Sequence, residues 1–234
     1  MAPRLTLSVI IPVGPDDDAW RDLLGDLALL EDGAEIILVA SQGGAPDMFR
    51  PRRYGLRVPT RWLETPAGRA HQQNAGAAAA GGETLWFLHA DSRLPPTSVA
   101  AAARFCGRAA LGFFDLRFRD DGPRLVALNA FGVRLRSRWL GMPFGDQGLI
   151  LPRRLFEELG GFDETVPRGE DHALVWSARR AGIPLVPLRA PLLTSARRYA
   201  EHGWLRTTLQ HARLTIAQAR RFAGARPGRR DDRP

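Results

Sequence analysis

The sequence contains no lysine: all 33 of its basic residues are arginine, set against 25 acidic ones for a net charge of +8. So uniform a substitution marks a GC-rich coding bias before it marks a binding surface. The arginines are spread along the chain and are not interleaved with an RNA-binding aromatic signature, so no nucleic-acid partner is expected. The single cysteine, Cys106, excludes an intrachain disulfide framework and a thiolate zinc cluster, and fits a reducing compartment. No apolar run reaches the ~18 residues that a spanning helix needs. Met1–Arg4 lead into a strand-like stretch without the apolar core of a signal peptide. A cytoplasmic location is expected, with the inner face of the membrane as a second reading.

What is present suits one sizeable core: 234 residues, 44% of them hydrophobic. Leu5–Ile11 is an apolar run ending at Pro12, as a buried parallel strand would be. Asp17–Leu30 has helical spacing, with Asp16 or Asp17 as its cap, and Glu35–Val39 is a second strand. Arg61–Glu64 is a weaker strand, Arg69–Ala80 an Ala-rich helix and Thr84–His89 another buried strand. Helices are expected over Pro96–Phe105, Arg124–Leu140, Arg153–Leu159, Asp171–Ala181 and Trp204–Phe222. A half-buried strand is expected over Leu111–Arg119, and short extended pieces over Gly148–Leu151, Leu185–Leu188 and Leu192–Thr194. Strands alternating with helices predict an α/β fold with a Rossmann-like, mainly parallel central sheet and helices on both faces. Ligands then sit beyond the carboxyl ends of the strands, which draws attention to Pro12–Asp17, Ala40–Gly44 and His89–Arg93.

Four stretches carry candidate chemistry. In Phe87-Leu88-His89-Ala90-Asp91-Ser92 an apolar strand ends on polar groups; Asp91 either caps the next turn or holds a divalent cation together with phosphate oxygens. In Gly169-Glu170-Asp171-His172 the acids either complement a helix dipole or supply a general base. Gly68-Arg69, with Gln72, Gln73 and Asn74 following, is either a polar helix face or a phosphate site at a helix start. Gly145-Asp146-Gln147-Gly148 is either a simple turn or a means of presenting Asp146 and Gln147 to sugar hydroxyls.

In order, these stretches resemble the family 2 glycosyltransferases of GT-A fold, and within them the subgroup associated with arsenosugar biosynthesis. The resemblance runs from about Leu5 to Arg213 and rests on SVIIPV (Ser8–Val13), GRAHQQNAGAAAAGG (Gly68–Gly82), LWFLHADSRLP (Leu85–Pro95), FGDQGLILPRRLFEELGGFDE (Phe144–Glu164) and EDHAL (Glu170–Leu174), with TSARRY and LRTTL beyond. It implies one GT-A domain over 1–225, with a nucleotide-sugar half over about 1–95 and an acceptor half over about 96–225; the polar stretch 226–234 is an expected disordered tail. It implies an inverting transfer of a sugar from a nucleotide diphosphate donor to an acceptor hydroxyl, with Mg²⁺ or Mn²⁺. Asp91 matches the last acid of the Asp-x-Asp motif and is the implied metal ligand, with His89 where the first Asp usually stands. Asp171 matches the catalytic base, with Glu170 beside it and His172 as its nearest rival and an acceptor contact. Pro12, Asp16, Gly68, Arg69, Gln73, Asn74, His89 and Arg93 are placed with Asp91 on the donor, and Asp146 and Gln147 on the acceptor. Two departures bear on the nucleobase: Pro15-Asp16 replaces the usual Asn-Glu, and Ala40-Ser41 replaces the usual Asp after the second strand.

Two other classes remain open on the residues. A nucleotidyltransferase would need a basic Gly-rich loop after the first strand, whereas Val13-Gly14-Pro15-Asp16-Asp17-Asp18 is acidic. A non-catalytic sugar-nucleotide-binding protein would bind donor without hydrolysing it. The last helix, with Arg206, Arg213, Arg220 and Arg221 beside Leu205, Leu209, Ile216 and Phe222, either packs its apolar side on the core, covers the acceptor site or contacts a membrane surface.

Overall fold

The computed structural model describes residues 6–15, 17–41, 44–46, 49–166 and 168–224, without the side chains at 198, 219 and 221–224. Asp16, the side chains of Arg221 and Phe222, and the tail 226–234 therefore lie outside the described residues.

Strands β1 (Leu7–Val13), β2 (Ala34–Ala40), β3 (Thr60–Glu64), β4 (Thr84–Phe87), β5 (Leu111–Phe118), β6 (Ile150–Pro152) and β7 (Leu185–Thr194) form one sheet in the order β3-β2-β1-β4-β6-β5-β7. All pairings are parallel except those of β6, which runs against β4 and β5. Helices α1 (Trp20–Asp26), α2 (Arg69–Ala79), α3 (Pro96–Phe105), α4 (Val126–Trp139), α5 (Arg153–Glu158), α6 (Glu170–Arg180), α7 (Arg197–His202) and α8 (Trp204–Gly224) complete the chain. The α/β fold with a mainly parallel sheet is as expected.

The sheet is buried on both sides because side chains alternate along each strand. Val9, Ile11 and Val13 of β1 face a cluster that includes Trp20, Leu23, Val99 and Phe105 from α1 and α3. Ile10 faces the other way, into Ile37, Val39, Ala70, Ala77, Leu174 and Val175 with α2 and α6. Gly76 lets α2 lie close: a Cβ there would sit 2.5 Å from an Ile10 methyl. One charge is buried among these strands. Glu35, 2% exposed, accepts hydrogen bonds from the Ser8 hydroxyl (2.7 Å), the Gly81 N–H and Arg61 (2.8 Å). Burial pushes its carboxyl up, but those donors and the Arg61 charge outweigh it and leave the group below its ordinary value.

Several expectations need correction. The helix expected over 17–30 is α1 followed by a 3₁₀ turn over Leu27–Leu29. Asp17 does not cap that helix; it lies two residues before the cap position, Ala19, whose N–H donates to its carboxylate (2.9 Å). β5 is buried on both faces over residues 111–114 rather than half-buried, because Phe114 and Leu116 point into one apolar cluster and Leu111 and Phe113 into the other. The two pieces expected near 185 and 192 are one strand, interrupted by a register shift opposite Phe113–Asp115, close to Arg189 at φ 55°. Helix α7 was not expected. Finally, α8 packs on α6 and α7 yet leaves Leu205, Leu209 and Ile216 exposed. Among the described residues no helix is long and apolar enough to cross a membrane.

Candidate active site

Four elements widely separated in sequence end at the carboxyl edge of the sheet: β4, the start of α2, the 3₁₀ turn over Gly145–Gln147 and the start of α6. β4 runs out at Phe87, so the backbone turns and presents His89 and Asp91 beyond the strand. Gly68 (φ 137°) opens α2 without a side-chain cap, and Arg69 follows. Gly169 (φ 91°) opens α6, so Glu170 and Asp171 occupy its first turn, where the helix dipole favours them.

Arg69 joins three of these elements. Its Nε lies 3.4 Å from Glu170 Oε1, and its Nη1 lies 3.4 Å from His89 Nε2. Glu170 is buried, and its other oxygen accepts from the Gly169 N–H (3.0 Å). Burial and the neighbouring Asp171 push its carboxyl up against the pull of Arg69. Burial and Arg69 hold His89 below its usual value, while Asp146, Asp91 and Asp171 act the other way. His89 thus sits in a field of three carboxylates, with burial and Arg69 working against its charged form.

Asp171 is fixed by two backbone donors, the Gly145 N–H and the His172 N–H (2.9 Å). The first contact requires glycine at 145: an added Cβ would meet the Asp171 carboxylate at 2.9 Å. Asp146, the next residue, has a buried Oδ1 that accepts no hydrogen bond from the described residues. Burial, joined by Asp171 and Asp91, raises its carboxyl; Arg136 and His89 oppose the rise.

Arg136 and Phe144 belong to this site although the sequence did not single them out. The Arg136 guanidinium stacks 3.4 Å from the Phe144 ring centroid and donates to the Met142 carbonyl (3.0 Å), and its charge reaches Asp146 and Asp171. Phe144 packs edge-on against the His172 ring at 3.7 Å. Arg136 lies on an amphipathic helix among other arginines, so only the docking of α4 against the 145–147 turn distinguishes it. His172 itself is 1% exposed, and burial lowers its imidazole to about 4. Its ring packs inward, whereas Asp171 remains half-buried.

Other expected contacts are committed elsewhere. Arg93 is held by Asp26 (2.7 and 2.9 Å) and Asp22 (3.3 Å), which ties the chain after β4 to α1. Asn74 spends both ends of its amide on the loop after α5: its oxygen accepts from the Phe162 N–H, and its nitrogen donates to the Phe162 carbonyl and Glu164, each at 2.9 Å. Gln147 is buried and shapes its own turn, accepting from Ser137 Oγ (2.6 Å) and the Phe144 N–H (3.2 Å) and donating to the Phe114 carbonyl (2.9 Å). Gln73 is buried in α2, and Pro12 is paired in β1 opposite Val39. Gln72 was noted only as a neighbour; its amide clamps β1 to β2 through the Val13 (2.8 Å) and Val39 (2.7 Å) carbonyls. Ser41, at the departure after β2, has a buried hydroxyl without a partner among the described residues.

No protein-family model matches the chain, and no curated protein matches it in sequence. Solved structures do match. The mannosyltransferase PcManGT from Pyrobaculum calidifontis, in complex with GDP-Man and Mn²⁺, aligns with a TM-score of 0.67 and 23% identity over 97% of this chain and 66% of that one. TarS from S. aureus aligns at 0.63 and 16% over 82% of this chain and 37% of that one. Its residues 1–349 in complex with UDP-GlcNAc align at 0.62 and 18% over 82% and 58%. The chain thus spans less than two thirds of each of these structures. It has their GT-A-like fold, and no comparison bears on the arsenosugar-associated subgroup.

Proposed function

We propose that this chain is an inverting glycosyltransferase of the family 2 type, moving a sugar from a nucleotide diphosphate donor to an acceptor hydroxyl. One observation carries the reading: Asp91, Asp146, Glu170 and Asp171 converge with Arg69 and Arg136 at the edge of the sheet where open α/β folds take ligands. The donor class is supported by solved structures of like fold, of which one holds GDP-Man with Mn²⁺ and another UDP-GlcNAc.

The donor set fits a divalent cation that arrives with a diphosphate. Asp146 Oδ1 is a buried acceptor without a donor, and Asp91 is exposed within the same field. Among the described residues no group of three or more His, Cys, Asp or Glu side chains forms a complete cage. Hard cations such as Mg²⁺ do not need one, since one or two carboxylates plus phosphate oxygens suffice. Asp91 is the residue that would hold the ion, with Asp146 as the second carboxylate. When bound, the ion offsets the charge that develops on the leaving diphosphate.

The protein's own groups supply the rest. Arg69, steered by Glu170 and His89, presents positive charge to the diphosphate. Asp171, its carboxylate oriented by the Gly145 and His172 N–H groups, takes the proton of the acceptor hydroxyl. The acceptor oxygen bonds to the anomeric carbon as the bond to the diphosphate breaks on the opposite face. That single displacement inverts the centre and requires no second nucleophile. His172 is a poorer base because its ring is buried against Phe144. Thermal-shift titration with UDP- and GDP-sugars, with and without Mn²⁺, tests the donor reading. Stabilisation by one of them that depends on Mn²⁺ is expected; indifference to every nucleotide sugar in the presence of metal would overturn it.

A further inference from the structure

Helix α4 turns its apolar side outward. Leu125, just before it, and Leu128, Phe131, Leu135 and Trp139 recur every three or four residues and so share one stripe. All are exposed, Leu128 at 60%, Phe131 at 58% and Trp139 at 81%. A groove of about 730 Å³ runs alongside, with Phe131 and Arg134 of α4 on one wall and Arg117 and Arg119 at the end of β5 on the other. Arg124 lines it too, together with Asp120. Among the described residues no carboxylate lies within ion-pair distance of Arg117, Arg124 or Arg134. Helix α8 is fastened to α4 through Asn129, which donates to Thr208 Oγ1 (3.0 Å) and accepts from the Trp204 indole (2.6 Å). It carries its own exposed stripe of Leu205, Leu209 and Ile216, edged by Arg206, Arg213 and Arg220. Neither helix contains an acidic residue.

We propose that the α4 face and the groove beside it dock on an anionic lipid bilayer, with the apolar stripe entering the interface and the groove arginines taking lipid phosphate. Charge complementarity selects this occupant. A second copy of the chain would set the unpaired Arg117, Arg124 and Arg134 against each other, with only Asp120 and the Arg138-paired Asp115 of the groove to answer them. A zwitterionic or uncharged partner would leave those arginines unanswered. An anionic bilayer satisfies both halves of the face, since amphipathic helices edged by arginine sink their apolar side to the acyl boundary while the cations stay among the headgroups. An exposed tryptophan at the end of such a stripe suits that boundary as well. The surface shares α4 with Arg136 but uses none of the residues of the acidic cluster, so it stands whether or not the transfer reading is right.

Co-sedimentation of the whole chain with vesicles tests this. Phosphatidylcholine vesicles containing phosphatidylglycerol should pellet the protein, and phosphatidylcholine alone should do so at least about tenfold less well. Phe131→Ser with Trp139→Ser should weaken anionic binding about tenfold or more, and Arg124→Gln with Arg134→Gln about tenfold, both with unchanged circular dichroism. These exposed side chains support no core, so loss of fold is not the expected outcome. Inorganic phosphate should compete no better than chloride at equal ionic strength, which separates a bilayer from a free anion. No pelleting, equal pelleting with both lipids, or indifference to both double variants would overturn the proposal. So would a dimer, seen by light scattering, that the Phe131/Trp139 variant abolishes.

Discussion

Glu35 and Asp146 are two acids of one domain in opposite circumstances. Glu35 sits between β1 and β3 with donors on both oxygens, and its carboxyl is held below the ordinary value. Asp146 sits at the carboxyl edge of the same sheet with an orphaned oxygen, and its carboxyl is raised. A fully satisfied buried charge stiffens a fold, whereas an unsatisfied one costs free energy and persists where something else uses it. The difference marks Asp146 as poised for an outside partner without reference to any motif, while Asp171, in the same site, is held by two backbone donors that orient it. Arg93, Asn74 and Gln147, polar and near the edge, are each tied to another element by two or more hydrogen bonds, as framework residues are.

The largest effect that sharpens this contrast is expected at Asp171. Asp171→Asn keeps shape and removes the proton acceptor, so kcat should fall about 10²–10⁴-fold with little change in donor affinity, the pattern of an interaction made in the transition state. His172→Ala, measured beside it under saturating donor, should keep more activity. Collapse in His172→Ala with normal turnover in Asp171→Asn would transfer the role of base.

The next effect is on stability, and it should divide the two acids. Glu35→Gln loses charge-assisted hydrogen bonds and should destabilise the chain by about 1–3 kcal/mol in urea unfolding. Asp146→Asn removes a buried carboxylate with one unpartnered oxygen, so stability should hold or rise while metal-dependent donor binding weakens, the usual trade at a functional site. A large loss of stability in Asp146→Asn would make it framework after all. The pH dependence follows from the same carboxyl. Because the folded value of Glu35 is depressed, its contribution is complete above the unfolded value and is lost as pH falls through the folded one. The acid-side fall in Tm should therefore be shallower in Glu35→Gln than in the wild type; parallel curves would remove Glu35 from the framework. Smallest of all, Arg93→Gln should cost some stability by freeing Asp26 but leave donor affinity unchanged, and a marked fall in affinity would return Arg93 to the site.

The sheet was legible because its strands are continuous apolar runs bounded by Pro, Gly and charge. Pro96–Phe105 coincides with α3, and Leu5–Ile11 differs from β1 by two residues. What failed depended on neighbours. Whether β5 is covered on both faces depends on side chains from distant elements, such as Phe105 on one face and Val175 and Ala178 on the other, and the union of two pieces into β7 depends on a bulge opposite β5. In the site, residue type pointed to Asp91, Glu170 and Asp171, whose positions at strand and helix ends are local properties. Arg136 was illegible because one arginine among several on α4 is distinguished only by the turn that α4 meets. The commitments of Arg93, Asn74 and Gln147 were illegible for the same reason, since each partner lies in a different element.

The most direct measurement is release of nucleoside diphosphate from a nucleotide sugar by the wild type and by Asp91→Asn, each with and without Mn²⁺. Release by the wild type that requires Mn²⁺, and its loss in Asp91→Asn at every metal concentration, is the expected result. Release that ignores Mn²⁺ and persists unchanged in Asp91→Asn would contradict the assignment of the acidic cluster as the site where metal, donor and chemistry meet.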